Sequence, residues 1–284
     1  MIPGAWPLAA PALMSAPSPD RLDPLRAPAH WQAVEFVSDL HLQSGEPQTF
    51  ELWRAFLQRP VSQRADALFI LGDLFEVWVG DDVLDTITSP DQTFWRACAD
   101  ALEAFSLQTP VYFMAGNRDF LLGAQGLKAC GMQGLSDPTT FDFLGQHWLL
   151  SHGDALCLAD TDYMRFREQV RQPTWQRNFL ARPLSERTTI ARDLREQSEA
   201  RKRNTAHDPS LWADVDAAAA RAALQAAGAH TLIHGHTHRP AAHALGNDLQ
   251  RVVLSDWDAG ANPPRAEVLR LDTNGLRRIP LPLS

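Results

Sequence analysis

Three histidines stand at every second position in Leu232-Ile-His-Gly-His-Thr-His-Arg-Pro240, directly after an apolar run. Imidazoles this dense are costly to bury unless something binds their nitrogens, and a metal ion is the simplest binder. The bland alternative is a polar loop with chance histidines, so other parts of the chain must supply carboxylates and further ligands. Four segments do so. Val34-Glu-Phe-Val37 runs into Ser38-Asp-Leu-His41, and Ala67-Leu-Phe-Ile-Leu71 runs into Gly72-Asp-Leu-Phe-Glu76. Val111-Tyr-Phe-Met114 ends in Ala115-Gly-Asn-Arg-Asp119, and Trp148-Leu-Leu150 ends in Ser151-His-Gly-Asp154. Five times, a short apolar run delivers metal-competent side chains at its C-terminal end. The candidate ligands are Asp39, His41, Asp73, Asn117, His152, His236 and His238.

The elements that must position them alternate. Thr49–Leu57 and Thr93–Leu107 place large apolar residues on one helical side, between strand-like runs. After the histidine cluster, Arg251–Leu254 and Glu267–Leu271 read as strands. This is an α/β pattern: β structure covered by helices, with the site at the strand ends.

The span from Ala155 to His230 differs, because strand signals are scarce in it. Helices are expected over Tyr163–Val170, Trp175–Leu180, Thr188–Arg203 and Ala213–Ala227, with Pro173, Pro183 and Asp208-Pro209 as breaks. From Arg165 to Arg203 there are ten Arg and one Lys against four Glu and one Asp, in a chain whose net charge is −8. A charge run is commonly a solvated helix face. Here it also carries Phe166, Trp175, Phe179, Leu180 and Leu194, so a cover for an anionic, greasy ligand is the sharper reading.

Composition bounds the rest. With 284 residues, 45% hydrophobic and 21% charged, the chain is that of an ordinary globular protein with a sizeable core. The acidic balance argues against a nucleic-acid partner. Cys98, Cys130 and Cys157 follow no zinc or redox spacing and read as reduced thiols of a cytoplasmic protein. Seven prolines punctuate residues 1–30, and no Lys or Arg precedes the apolar Ala5–Ala16, so a disordered extension is expected over 1–32 rather than a signal peptide.

The ordered set D-x-H, G-D, G-N, H-G-D and G-H-T-H, spread over roughly residues 34–260, resembles the calcineurin-like metallophosphoesterases. The resemblance implies a two-sheet β core flanked by helices, built from 33–154 and 228–284, with a helical lid insertion over 155–227. It also implies two divalent ions sharing Asp73, with Asp39, His41 and His238 on one ion and Asn117, His152 and His236 on the other. A carboxylate has two oxygens and can span ions ~3.5–4 Å apart, and oxygen and nitrogen donors without thiolate suit Mn²⁺. Many relatives carry a histidine after Gly-Asn that can protonate a leaving alkoxide; here it is Arg118. Arginine cannot act as a general acid but can clamp phosphate oxygens. That substitution favours a leaving group needing no proton, hence a pyrophosphate bond, unless Arg118 merely pairs with Asp119 or another acid.

Within the family, Gly72-Asp-Leu-Phe-Glu-Val-Trp-Val-Gly-Asp-Asp82, Gly116-Asn-Arg-Asp119 and Ile233–Pro240 are similar to the UDP-2,3-diacylglucosamine diphosphatases of lipid A synthesis. This implies Mn²⁺-dependent hydrolysis of UDP-2,3-diacylglucosamine to UMP and lipid X, peripherally at the cytoplasmic face of the inner membrane, with no obligate protein partner. Substrate contacts then fall on Asn117, Arg118, Asp160, Ser198, Lys202 and His236, and Asp73, Asn117 and Arg118 are catalytic. Lys202 is the weakest assignment, because Asn is expected there. Trp78 and Val79 are expected to line the wall of the site; Asp81 and Asp82 either support ligand histidines from outside or are plain loop acids, and Asp256 is expected to support the site from a strand end. His234 is expected to be structural, and Asp154 to turn the loop after His152. The competing readings are another Mn²⁺-dependent phosphoesterase or nucleotide pyrophosphatase of the same fold, and a metal-binding scaffold.

Overall fold

Two six-stranded sheets face each other, and the parallel strands at their centres end at the same rim. The computed structural model describes residues 24–87, 89–205 and 214–282, the side chains of 197–205 excepted. One sheet contains β1 (Leu25–Arg26), β6 (Thr139–Phe143), β7 (Gln146–Ser151), β8 (Thr231–His234), β9 (Ala241–Gly246) and β10 (Leu249–Val253), in the order β1-β6-β7-β8-β10-β9. The other contains β2 (Ala33–Val37), β3 (Ala67–Leu71), β4 (Val111–Met114), β5 (Met132–Leu135), β11 (Glu267–Asp272) and β12 (Gly275–Pro280), in the order β12-β11-β2-β3-β4-β5. Pairing is parallel through β2, β3, β4 and β5, and again through β7, β8 and β10. β2 and β3 are buried along their whole length, which is why they read as unbroken apolar runs rather than alternating ones.

Between the sheets lies an aromatic-rich layer in which Phe36, Phe69 and Met114 meet Phe141, Trp148, Leu150 and Ile233. Helices α1 (Pro47–Leu57), α2 (Pro90–Ser106) and α3 (Ala124–Ala129) cover the β2-side sheet. Their starts are written in the sequence. Pro47 and Pro90 sit in first turns, where the missing N–H costs nothing, and Ser89 caps α2 by accepting from Gln92 N.

Three expectations change. Residues 24–32 belong to the fold and not to a disordered extension: β1 pairs with β6, and Trp31 packs into the layer between the sheets. Residues 1–23 lie outside the described residues. The second change concerns α7 (Ala217–Ala227), which belongs to the core and not to the insertion. Its small face brings Ala220 and Leu224 flat against Leu149 and Leu232 of β7 and β8, and Gly228 stops it at φ 64°. The helical insertion is therefore α4 (Thr161–Val170), α5 (Pro173–Leu180) and α6 (Leu184–Thr205). Finally, β5, β6, β9 and β12 add to the strands expected. β9 is largely alanine and glycine, with little strand propensity of its own, and β10 supplies its register.

Because Leu224 is fully buried between α7 and the sheet, Leu224→Ala is expected to lower the unfolding free energy by about 2–4 kcal/mol in urea titration. Metal binding by the folded fraction should not change, since Leu224 packs against Leu149 and Leu232 and is not itself a candidate ligand.

Candidate metal centre

The loops leaving β2, β3, β4, β7 and β8 converge at one rim, and five of the seven candidate ligands stand there in left-handed backbone. Asp39, His41, Asp73, His236 and His238 have φ of 54°, 48°, 53°, 67° and 52°. L-residues avoid this region, at about 1 kcal/mol or more each, so the surrounding structure must impose it. It does so with hydrogen bonds between loops. Asp39 N donates to Gly72 O, His41 N to Asp73 O and Gly235 N to His152 O, each at 3.0 Å. His236 N donates to Asp39 Oδ2 at 2.9 Å, which ties the loop after β8 to the loop after β2, across the two sheets. Glycines permit the closeness. A methyl group at Gly116 would lie 2.1 Å from Asp73 Oδ1, and one at Gly235 would lie 2.4 Å from Asp39 Oδ2.

Two donor clusters result. In the first, His41 Nε2 and His238 Nε2 are 3.2 Å apart, and Asp39 Oδ1 lies 3.3 Å from His238 Nε2. That oxygen is buried and accepts no hydrogen bond. In the second, Asn117 Oδ1 sits 3.0 Å from His152 Nε2 and 2.9 Å from His236 Nδ1. His152 Nδ1 donates to Leu71 O at 2.9 Å, which leaves Nε2 with its lone pair turned inward. Asp73 lies between them, Oδ2 4.0 Å from His41 Nε2 and Oδ1 3.7 Å from His152 Nε2. Convergent lone pairs, an orphaned buried carboxylate oxygen and oxygen–nitrogen donors without thiolate fit a pair of divalent cations.

The electrostatics agree with a site built for positive charge. Burial opposes the charge of Asp39, but the neighbouring histidines hold its carboxyl well below the ordinary range. His152 is likewise opposed by burial, yet Asp73 and Asp39 raise it to about 9. His236 is pushed down to about 3 by burial and by His152.

Residues around the ligands divide differently from expectation. Arg118 donates its backbone N–H to Asp73 Oδ1 at 2.9 Å, and its Nη1 lies 3.3 Å from Glu76 Oε1. The acid that Arg118 pairs with is thus Glu76 and not Asp119. That fully buried carboxylate accepts from Gly116 N and Leu74 N, both at 2.8 Å, and so clamps the loops after β3 and β4. Burial, with Asp73 beside it, raises Asp119 to about 7. Neither Asp119 nor Glu76 was singled out by spacing; their only signal is an acid two or three residues beyond a ligand. Trp78 and Val79 are core residues, packed with Phe75 and Trp95, not the wall of the site. Asp81 accepts from Trp78 Nε1 and Gly123 N, and Asp82 pairs with Arg187; neither supports a ligand histidine. Asp256 Oδ2 does lie near His238 Nδ1, at 3.7 Å. His234 is buried with Nδ1 on Gly235 O, outside both clusters. Asp160 is an exposed cap on α4, accepting from Tyr163 N at 3.0 Å, and has no contact with the clusters. Ser198 and Lys202 lie along α6, but their side chains fall outside the described residues.

The insertion is bound to this rim by its basic residues. Asp154 does more than turn a loop: its Oδ2 accepts from Tyr163 and from Arg167 Nε at 2.8 Å. Tyr163 stacks on His236, with ring centroids 5.9 Å apart, and Arg171 donates to Gly116 O at 2.8 Å. Arg187 is almost wholly buried against Asp82 and Val79 O. A large share of the local positive charge thus anchors helices to acids of the core.

The calcineurin-like phosphoesterase model matches residues 34–240. The chain belongs to that family. A UDP-2,3-diacylglucosamine hydrolase of Chromobacterium violaceum is 45% identical over 256 residues, covering 88% of this chain and 99% of its own. One from Xanthomonas oryzae pv. oryzae is 43% identical over 248 residues, covering 85% and 96%. Among solved structures, an archaeal phosphodiesterase aligns over 88% of this chain and 99% of its own at 12% identity and a TM-score of 0.44, a likeness too distant to bear on function. No described helix is long and apolar enough to cross a membrane.

Two outcomes test this construction. Gly116→Ala, which drives a methyl into Asp73, should weaken Mn²⁺ binding at least roughly tenfold by calorimetry. The second concerns Asp154, whose burial is outweighed by His152 and Arg167, so that its carboxyl sits below its ordinary 3.8. A depressed carboxylate contributes stability in full above its ordinary value and loses it as pH falls below that value. Asp154→Asn should therefore melt below the parent protein at pH 7, by roughly 2–3 kcal/mol in stability, and the gap should narrow below about pH 4.

Proposed function

We propose that this protein hydrolyses the pyrophosphate bond of UDP-2,3-diacylglucosamine, releasing UMP and 2,3-diacylglucosamine 1-phosphate (lipid X). The observation that carries the reading is the placement of Asp73 between two donor clusters with Arg118 beside it. Asp39, His41 and His238 would hold one divalent ion, Asn117, His152 and His236 the other, with Asp73 shared; Mn²⁺ suits the donor set. When bound, such ions acidify water toward neutral pH and neutralise charge developing on phosphoryl oxygens.

The chain's own residues account for the choice of bond. Arg118 stays protonated at any working pH, so it orients and neutralises phosphate oxygens but gives up no proton. Water adds to phosphorus and the bridging oxygen departs on the second phosphate, an anion that needs no protonation; the proton released by water goes to solvent. Asn117 precedes Arg118 in the same loop and its Oδ1 is 2.9 Å from His236 Nδ1, and both would share the phosphate contacts. The curated relatives of this name, matched along nearly their whole length, support the same substrate.

A diacylated substrate accords with the insertion, where Phe166, Leu180 and Leu194 are between 37% and 41% exposed, large apolar side chains kept in solvent beside a polar rim. Work at the cytoplasmic face of the inner membrane, peripherally, follows from where such a lipid resides. Removing the insertion is a poor way to separate lipid from soluble substrates, because α4 and α6 also brace the metal ligands and any reaction at this site would suffer.

Purified protein with Mn²⁺ is expected to release UMP from UDP-2,3-diacylglucosamine, to lose that activity with chelator, and to act at least tenfold more slowly on the deacylated UDP-sugar, by roughly the apolar contribution of a few buried methylenes. Asp73→Ala should abolish hydrolysis with the circular dichroism spectrum unchanged. A preference for simple phosphodiesters, or activity indifferent to Asp73, would sink the reading.

A further inference from the structure

Glu76 is a buried carboxylate at the rim that is not a candidate ligand and whose side chain is not committed to backbone amides. Its side chain is 8% exposed. Its Oε2 lies 2.8 Å from His41 Nδ1, on the side of the ring away from the first donor cluster. Oε1 receives two guanidinium groups, Arg118 Nη1 at 3.3 Å and Arg195 Nε at 3.0 Å. Arg195 comes from α6, and its Nη1 also donates to Gln43 Oε1, two residues past His41, at 2.9 Å. Glu76 N in turn donates to Leu42 O at 3.1 Å, so backbone and side chain both fasten it to the loop that carries His41. One carboxylate thus touches a candidate metal-ligand histidine, the arginine proposed to bind phosphate, and the insertion.

We propose that Glu76 is a positioning residue that holds His41 and Arg118 in place and, through Arg195, makes their placement depend on α6 being docked. The inference rests on the two-metal reading above. Two cations on one carboxylate oxygen compete for it, so loss of the Arg195 contact leaves Glu76 to Arg118 alone and draws that guanidinium toward the carboxylate and away from phosphate. Docked α6 shares the oxygen and frees Arg118 to face substrate. Assembly of the phosphate clamp and closure of the insertion would then be one event, and a substrate that holds the insertion down would complete its own site.

The test combines Mn²⁺ titration of the chelated, full-length protein with steady-state kinetics on UDP-2,3-diacylglucosamine. Glu76→Ala should weaken Mn²⁺ at one of two sites by roughly 10–100-fold, as loss of a histidine's outer partner does elsewhere. Glu76→Gln keeps an acceptor for His41, so its Mn²⁺ affinity should stay within about threefold of wild type while KM rises at least tenfold, because the negative charge that pairs with both arginines is gone. Arg195→Met should raise KM with Mn²⁺ affinity unchanged, and the Glu76→Gln and Arg195→Met effects on KM should be strongly non-additive. Wild-type protein that binds no Mn²⁺ overturns the two-metal reading and this inference with it. Wild-type binding at two sites, with Glu76→Ala binding as tightly, overturns the inference alone; so do independent, multiplying effects of the other two substitutions. If Glu76→Ala does not fold, the Glu76→Gln and Arg195→Met cycle decides.

Discussion

The constraint on which the site depends is backbone strain at strand ends. Side chains at the tips of parallel strands normally fan outward, following the pleat. Turning Asp39, His41, Asp73, His236 and His238 into the left-handed region brings their side chains back toward a common centre. That conformation persists because loops from both sheets hydrogen-bond to one another, with Asp39 taking the His236 N–H across the gap. The two sheets, the layer of aromatic side chains between them and the glycines at the crossing points all serve this convergence. Relax any of them and the donors separate.

Convergence creates a second problem, since Asp39 and Asp73 are buried close together with Asp119 behind them. Buried carboxylates repel and lose hydration, and each needs compensation. The three are compensated differently. Asp39 and Asp73 face imidazoles and the space between donor clusters, where cations would complete them. Asp119 accepts backbone amides only and is raised to about 7, beside Asp73. Acids a little farther out, Asp154, Asp82 and Glu76, are met by Arg167, Arg187 and Arg195 of the insertion. The acid rim of the core and the basic insertion are two halves of one charge balance. This explains why a chain with net charge −8 concentrates arginine in a single stretch.

Much of this was legible in the sequence, for a specific reason. Metal-competent residues at the ends of apolar runs need no knowledge of pairing: run and ligand are adjacent in the chain, so Asp39, Asp73, Asn117 and the histidines stood out. The helices expected from Thr49, Thr93 and Trp175 were legible on the same local grounds, though each begins two or three residues earlier at a proline, and Pro173 starts a helix as well as ending one. What escaped was non-local. Glu76 and Asp119 matter through partners on other loops, and nothing in their own neighbourhood distinguishes them from ordinary loop acids. Ala217–Ala227 looked like a continuation of the helical insertion because a run of alanines does not reveal which surface it packs on. Trp78 sat in a motif next to the site, yet its side chain points the other way, into Phe75 and Trp95. The basic stretch by itself suggests a solvated face or a cover for an anionic ligand, whereas several of its arginines are occupied with the core.

That last point bears on the identity of residue 118. Glu76 holds its own charge despite burial, lowered to about 2 with His41 and Arg118 as the main opposing charges. An ionised Glu76 favours a cation at residue 118, whose Nη1 lies 3.3 Å from its Oε1. A histidine there would be drawn toward its cationic form by the same carboxylate. Arginine removes the conflict: it supplies the charge that Glu76 requires and never has a proton to withhold. The site is thereby suited to bonds whose leaving group departs as an anion. Pyrophosphate chemistry, as proposed, therefore involves Glu76 as well as Arg118, since the two are paired.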